Sequence, residues 1–168
     1  MVSLEESVAA FVNQEVIGLR RVHYVGPDGE IYPNGALELR FRAGNIVVFD
    51  CSPNGQDLRL TEGPWEDPWA PPLDEETVKF LEESGRPRVF DVSRVSPYSR
   101  LLGVISEAEP GHTVDGLGEV PEIVELTLEI ANSRVRLHTE AADELFVDID
   151  GELVDCVPPS IRTSTIRQ

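Results

Sequence analysis

The sequence predicts an α+β fold: antiparallel β-meanders in two similar, pseudo-twofold halves, with two to three helices packed against the sheet. Three observations lead there. Strict period-two alternation of apolar and polar residues recurs in two blocks, at Leu37, Leu39 and Phe41 and again at Leu126, Leu128 and Ile130. Helically spaced apolar residues or a cap lie ahead of each block, and clusters of Gly, Pro and Asn punctuate the chain at short intervals.

Ser3 and Glu6 form a capping box, and Leu4, Val8, Phe11 and Val12 follow at helical spacing, which predicts a helix from residue 4 to about 14. Gly18 closes that region. The run 19–25 reads as a strand ended by the turn Gly26-Pro27-Asp28-Gly29. In the next strand Leu37, Leu39 and Phe41 face one side, while Glu38, Arg40 and Arg42 face the other. A turn at Ala43-Gly44-Asn45 leads into Ile46-Val47-Val48-Phe49, and Pro53-Asn54-Gly55 leads into a third strand marked by Leu58 and Leu60.

Residues 62–73 break this rhythm, because they are rich in Pro and carry both tryptophans, and so cannot be a central strand. Asp74 caps a second helix containing Val78, Phe80 and Leu81, and Gly85 before Pro87 stops it. A short strand at 88–92 and a helical turn at 96–99 come next. The second meander then repeats the first in outline: Val135 and Leu137 align with Ile46 and Val48, Glu144-Leu145-Phe146-Val147 aligns with Asp57-Leu58-Arg59-Leu60, and Leu101 and Val104 align with Leu19 and Val22. The expected organisation is one domain over 1–168, with halves of about 1–61 and 74–153 joined by the acidic Trp/Pro-rich linker 62–73. The tail 158–168 has enough β-branched residues to add an edge strand.

Composition narrows the function classes. A hydrophobic fraction of 40% is too high for a disordered chain, so the net charge of −17 belongs to a folded acidic domain. Lys79 is the single lysine and the positive charges are scattered, which argues against nucleic acid and for a basic partner or simple solubility. No apolar run spans a membrane and the N-terminus lacks the order of a secretory signal, so the expected location is cytoplasmic. Cys51 and Cys156, without Cys or His neighbours, read as reduced, buried small hydrophobes.

Catalytic and metal motifs are missing. His23, His112 and His138 have no metal-ligand spacing, and each is expected to be solvent-exposed. Asp148-Ile149-Asp150-Gly151-Glu152 has alternate carboxylates but lacks the later ligands of a calcium loop, and reads as a strand end followed by a tight turn. Nucleophile elbows and phosphate-binding Gly loops are also lacking, so no catalytic residue, metal or cofactor is implied.

The densest acidic block, Glu62 to Glu83, surrounds Trp65 and Trp69. Two readings of it stand side by side: tryptophans closing the edge of a core, with acidic residues complementing a helix dipole, or a partner-binding patch made of Trp65, Glu66, Asp67 and Trp69. In composition and class the chain is similar to bacterial immunity proteins, a likeness that assigns no role to any residue. The leading expectation is therefore a non-catalytic acidic interaction protein that binds a basic protein. The alternatives are a small-molecule-binding domain or enzyme with a pocket between sheet and helices, served by Tyr24, Tyr32, Tyr98 and arginines, and a homodimer that uses Trp65 and Trp69 as its interface.

Overall fold

The computed structural model describes residues 4–33, 35–52, 57–112, 123–140 and 144–154. It is dominated by antiparallel sheet, not by the α+β layering that the sequence suggests. The strands are β1 (Glu15–Val25), β2 (Leu37–Phe41), β3 (Ile46–Cys51), β4 (Leu58–Glu62), β5 (Arg86–Asp91), β6 (Gly103–His112), β7 (Ile123–Ile130), β8 (Ser133–Glu140), β9 (Glu144–Ile149) and β10 (Glu152–Leu153). Only two α-helices accompany them among the described residues, α1 (Leu4–Ala9) and α2 (Glu75–Ser84), with a 3-10 turn at Tyr98–Leu101.

The strand order is β10-β9-β8-β7-β6-β1-β2-β3-β4, with β5 paired to the C-terminal part of β1. β1 and β6 meet only through Glu15↔Val104 and Val16↔Gly103, so β1 to β4 run outward from that seam in one direction and β6 to β9 in the other. The two arms fold over each other, β3 against β9 and β4 against β7.

This packing explains why the helices matter less than expected. The inner residues of one arm, among them Leu37, Leu39, Phe41, Val47 and Phe49, share one core with Leu126, Leu128, Val135, Leu137 and Val147 of the other. Sheet covers sheet, and helices are not needed to bury the apolar face. α1 is short: Asn13, at φ +71°, turns the chain after Phe11 has stacked on Phe41 (ring centroids 5.6 Å apart) and met Phe49 edge-on (6.0 Å). α2 has the anticipated cap, with the Asp74 carboxylate accepting from the Thr77 N–H at 2.7 Å, but buries only Leu81.

Several local expectations shift. β1 starts at Glu15 and passes through Gly18, where the register with β2 slips, so this glycine marks a bulge inside a strand and not the end of a region. Pro110, Gly111 and His112 belong to β6, and Leu101 lies in the 3-10 turn, not on a strand as Leu19 does. The alignment of the two meanders is one residue out at β3: Val47 and Phe49 point inward as Val135 and Leu137 do, while Val48 points outward. The reason is turn length. Four residues join β2 to β3, whereas Ala131 and Asn132, both at positive φ, make a two-residue turn between β7 and β8. Ser3, the turn Pro53-Asn54-Gly55, the loop after His112, Cys156 and the tail 158–168 lie outside the described residues.

Candidate functional site

β1, β2 and β3 present an outer face whose residues alternate with the core. Val22, Ala36 and Val48 form a small second cluster there, and Trp65 and Val89 pack on it. The segment after β4 therefore crosses the back of the sheet, from the edge at β4 to α2 and the edge at β5. It hides Glu38, which the alternation alone places in solvent. Glu38 is fully buried. Its Oε1 accepts from Arg20 Nε at 2.6 Å, and its Oε2 accepts both from Arg20 Nη2 and from the Trp65 backbone N–H at 3.0 Å. One carboxylate thus ties β1, β2 and the crossing segment together, with three donors to offset its desolvation.

The four residues singled out from the sequence separate by role. Trp65 is half-buried on the outer cluster and Glu66 is exposed beside it. The Asp67 carboxylate accepts from the Trp69 N–H at 2.9 Å and lies 4.0 Å from Arg86 on β5. Trp69 is half-buried against Phe80 of α2, with ring centroids 6.1 Å apart. Phe80 and Val78 remain 51% and 41% exposed, and helix geometry places Glu75, Glu76, Glu82 and Glu83 within a turn of them. Trp69 and Phe80 thus form an aromatic ridge with Glu76 and Glu83 beside Phe80, whereas Val78, two residues away, lies on the Leu81 side of α2.

Next to Trp65 a cavity of about 370 Å³ opens, lined by Val48, Asp50, Arg59, Thr61, Trp65 and Glu66 among others. Asp50 and Arg59 face each other in the register of β3 and β4. Burial pushes the Asp50 carboxyl above its ordinary value, although the Cys51 N–H and the arginines Arg59 and Arg21 pull the other way. A second opening, about 400 Å³, lies between α2 and β1 and β5, bordered by Val25, Leu73, Val78, Leu81, Arg86 and Arg88. Tyr24 and Tyr32 pack edge-to-face at 6.0 Å on the surface nearby, with the Tyr24 hydroxyl donating to the Ser84 carbonyl at 2.9 Å. Tyr98 is fully buried in the core and does not join them.

The histidines also depart from expectation. His112 is exposed, but His23 is fully buried on β1, and His138 is only 12% exposed, its ring stacked on Phe146 at 5.3 Å. His23 Nδ1 sits 3.0 Å from the Tyr32 carbonyl, and Nε2 is buried without a hydrogen-bond partner. Desolvation, reinforced by the neighbouring charge of the buried Arg21, lowers its pKa to about 3. The run after Asp148 is a turn: Asp150 and Gly151 have positive φ, and the Asp150 carboxylate accepts from the Arg134 N–H at 2.9 Å, the Ser133 hydroxyl and Arg100. Among the described residues no group of three or more His, Cys, Asp or Glu is arranged to hold a metal ion, and no helix is long and apolar enough to cross a membrane.

No family model, curated protein or solved structure matches this chain.

Sequence reasoning missed Glu38, Asp50 and Arg59. Each sits on a strand whose polar face looks solvated, and only the path of residues 62–73 over that face brings them into a site. A usable signal was present: a segment with two tryptophans, too Pro-rich to be a strand, has to bury those rings on some neighbouring face.

Proposed function

We propose that this chain is a non-catalytic acidic interaction protein, of an immunity-type or accessory kind, which binds a basic protein partner through the surface carrying Trp65, Glu66, Asp67 and Trp69. The observation that carries the reading is the aromatic pair of half-buried Trp69 and exposed Phe80, bordered on α2 by the carboxylates of Glu76 and Glu83. Exposed aromatic surface rimmed by charge of one sign has the composition of a recognition patch: the rings supply desolvated contact area, and the carboxylates steer an oppositely charged partner toward it. The net charge of −17 extends that steering over the whole molecule.

Affinity capture from the native cell extract, with the wild-type chain and the Trp65→Ala, Trp69→Ala double variant as baits, tests this. The two baits carry the same charge, so nonspecific attraction is equal for both. The expected result is a basic protein recovered by the wild type, lost by the double variant, and associating more slowly as salt is raised. Equal recovery by both baits, or an association rate indifferent to salt, contradicts the proposal.

A further inference from the structure

Resting on that reading and sharpening it, we propose that the partner's anchor is a single arginine side chain held in the cavity beside Trp65, with Asp50 as its carboxylate partner. The cavity combines the groups a guanidinium requires. Trp65, fixed by its N–H bond to Glu38 and by Val22, Ala36 and Val48 beneath it, offers an indole among the lining groups. A cation over an indole face is attracted by the ring quadrupole. Asp50 is half-buried, held by the N–H of Cys51 at 2.9 Å, and Glu66 stands exposed on the rim.

Arg59 is an internal competitor for the same carboxylate. It lies opposite Asp50 in the β3 and β4 register and is exposed, so its side chain is free to swing into water when another cation arrives. Asp50, Glu62 and Glu66 outnumber Arg59 and the buried Arg21, whose charge also reaches Asp50, so the balance around the cavity stays negative with both arginines in place. Arginine fits better than lysine, because its planar fork meets a carboxylate with two donors and stacks on an indole, whereas an ammonium does neither and holds its water more strongly. The burial that pushes the Asp50 carboxyl up also strengthens its attraction for an incoming cation, since the surrounding dielectric is lower than that of water.

The test titrates N-acetyl-arginine amide into a Trp69→Phe protein, in which Trp65 is the remaining tryptophan and its fluorescence reports occupancy. Saturable binding is expected, with N-acetyl-citrulline amide, which has nearly the same shape and no charge, giving no response. Asp50→Asn weakens the arginine amide by about tenfold or more. Arg59→Gln removes the competitor and tightens it by about two- to threefold. Because Arg59 is exposed, that variant keeps the test decisive even if Asp50→Asn fails to fold. Identical titrations of the parent and Asp50→Asn proteins, an equal response to the neutral amide, or an affinity unmoved by Arg59→Gln overturns the proposal.

The capture experiment separates this failure from that of the broader reading. If Asp50→Asn and wild-type baits recover a tryptophan-dependent basic partner equally well, the interaction surface stands and the arginine anchor falls. If the arginine amide binds while no tryptophan-dependent partner is recovered, the partner reading falls, and the anchor with it.

Discussion

Glu38 is the residue on which the outer face of the sheet most depends. Replacing it with Ala strands the Arg20 guanidinium and the Trp65 amide together, and a loss of about 2–3 kcal/mol is expected by urea denaturation. The figure sits toward the low end for buried pairs because the Arg20 side chain is 30% exposed and therefore partly solvated. A loss below about 0.5 kcal/mol would show that the carboxylate does not organise this face. His23 supplies a second residue-scale prediction. Its folded pKa of about 3 lies below the ordinary histidine value of 6.5, so the unfolded chain takes up this proton first as pH falls. The neutral imidazole's contribution is fully present above about pH 6.5 and is lost progressively toward pH 3. His23→Leu should flatten the decline in stability over that window by up to about 1.4 kcal/mol per pH unit, the limit for one proton. Parallel stability profiles for wild type and variant would contradict the assignment. Neither residue was legible in advance. Alternation shows that Glu38 lies opposite Leu37 and Leu39, but burial of that face comes from a segment some 27 positions away.

At the scale of elements, α2 and the segment before it divide the work. The limits of α2 were plain in the sequence because its signals are local: Asp74 closes the first turn and Gly85, at φ +99°, ends the last. Gly85 also has no room for a side chain, since a Cβ there would lie 2.2 Å from the Val25 carbonyl oxygen. Gly85→Ala should therefore cost about 2 kcal/mol or more, through backbone strain and a forced separation of α2 from β1. Thermal unfolding reads this directly, and an unchanged Tm would refute the close approach. The crossing segment was legible only as a non-strand, because its contacts are with β1, β2 and α2 and leave no periodic trace. Trp65→Ala uncovers Val22, Ala36 and Val48 and should cost about 2 kcal/mol, whereas Trp69→Ala, whose ring meets the largely exposed Phe80, should cost under about 1 kcal/mol. Equal destabilisation by the two substitutions would mean that both rings are core residues, which would remove Trp69 from the recognition surface.

Over the whole molecule, the sequence conveyed the antiparallel strands and the inward residues of β2, β4, β7, β8 and β9, but not of β3, because period-two alternation is a direct consequence of burying one face and Ile46-Val47-Val48-Phe49 is apolar on both. It misjudged the layers, because the residues that cover an apolar face leave no mark on the face itself: Phe49 reads the same whether a helix or β9 lies above it. The finished molecule has two acidic outer faces. That of β6 to β8 carries Glu107, Glu109, Glu125 and Glu129, interleaved with Arg134 and Arg136, with Arg136 bonded to Glu125 at 2.7 Å and 3.6 Å from Asp148. The other carries the aromatic ridge, the cavity beside Trp65 and an excess of uncompensated carboxylates. If charge alone recruits a basic partner, the two faces compete on similar terms. If aromatic contact area and the cavity decide, only the second responds. The most direct measurement is the amide and indole N–H spectrum of the protein during addition of a short peptide of arginine and leucine. The expected result is that the Trp65 and Trp69 indole signals and the backbone amides of residues 62–83 shift saturably, while those of Glu107, Glu109, Glu125 and Glu129 stay in place. Uniform shifts over both faces, or shifts confined to β6 to β8, would contradict the assignment of partner recognition to the tryptophan-bearing surface.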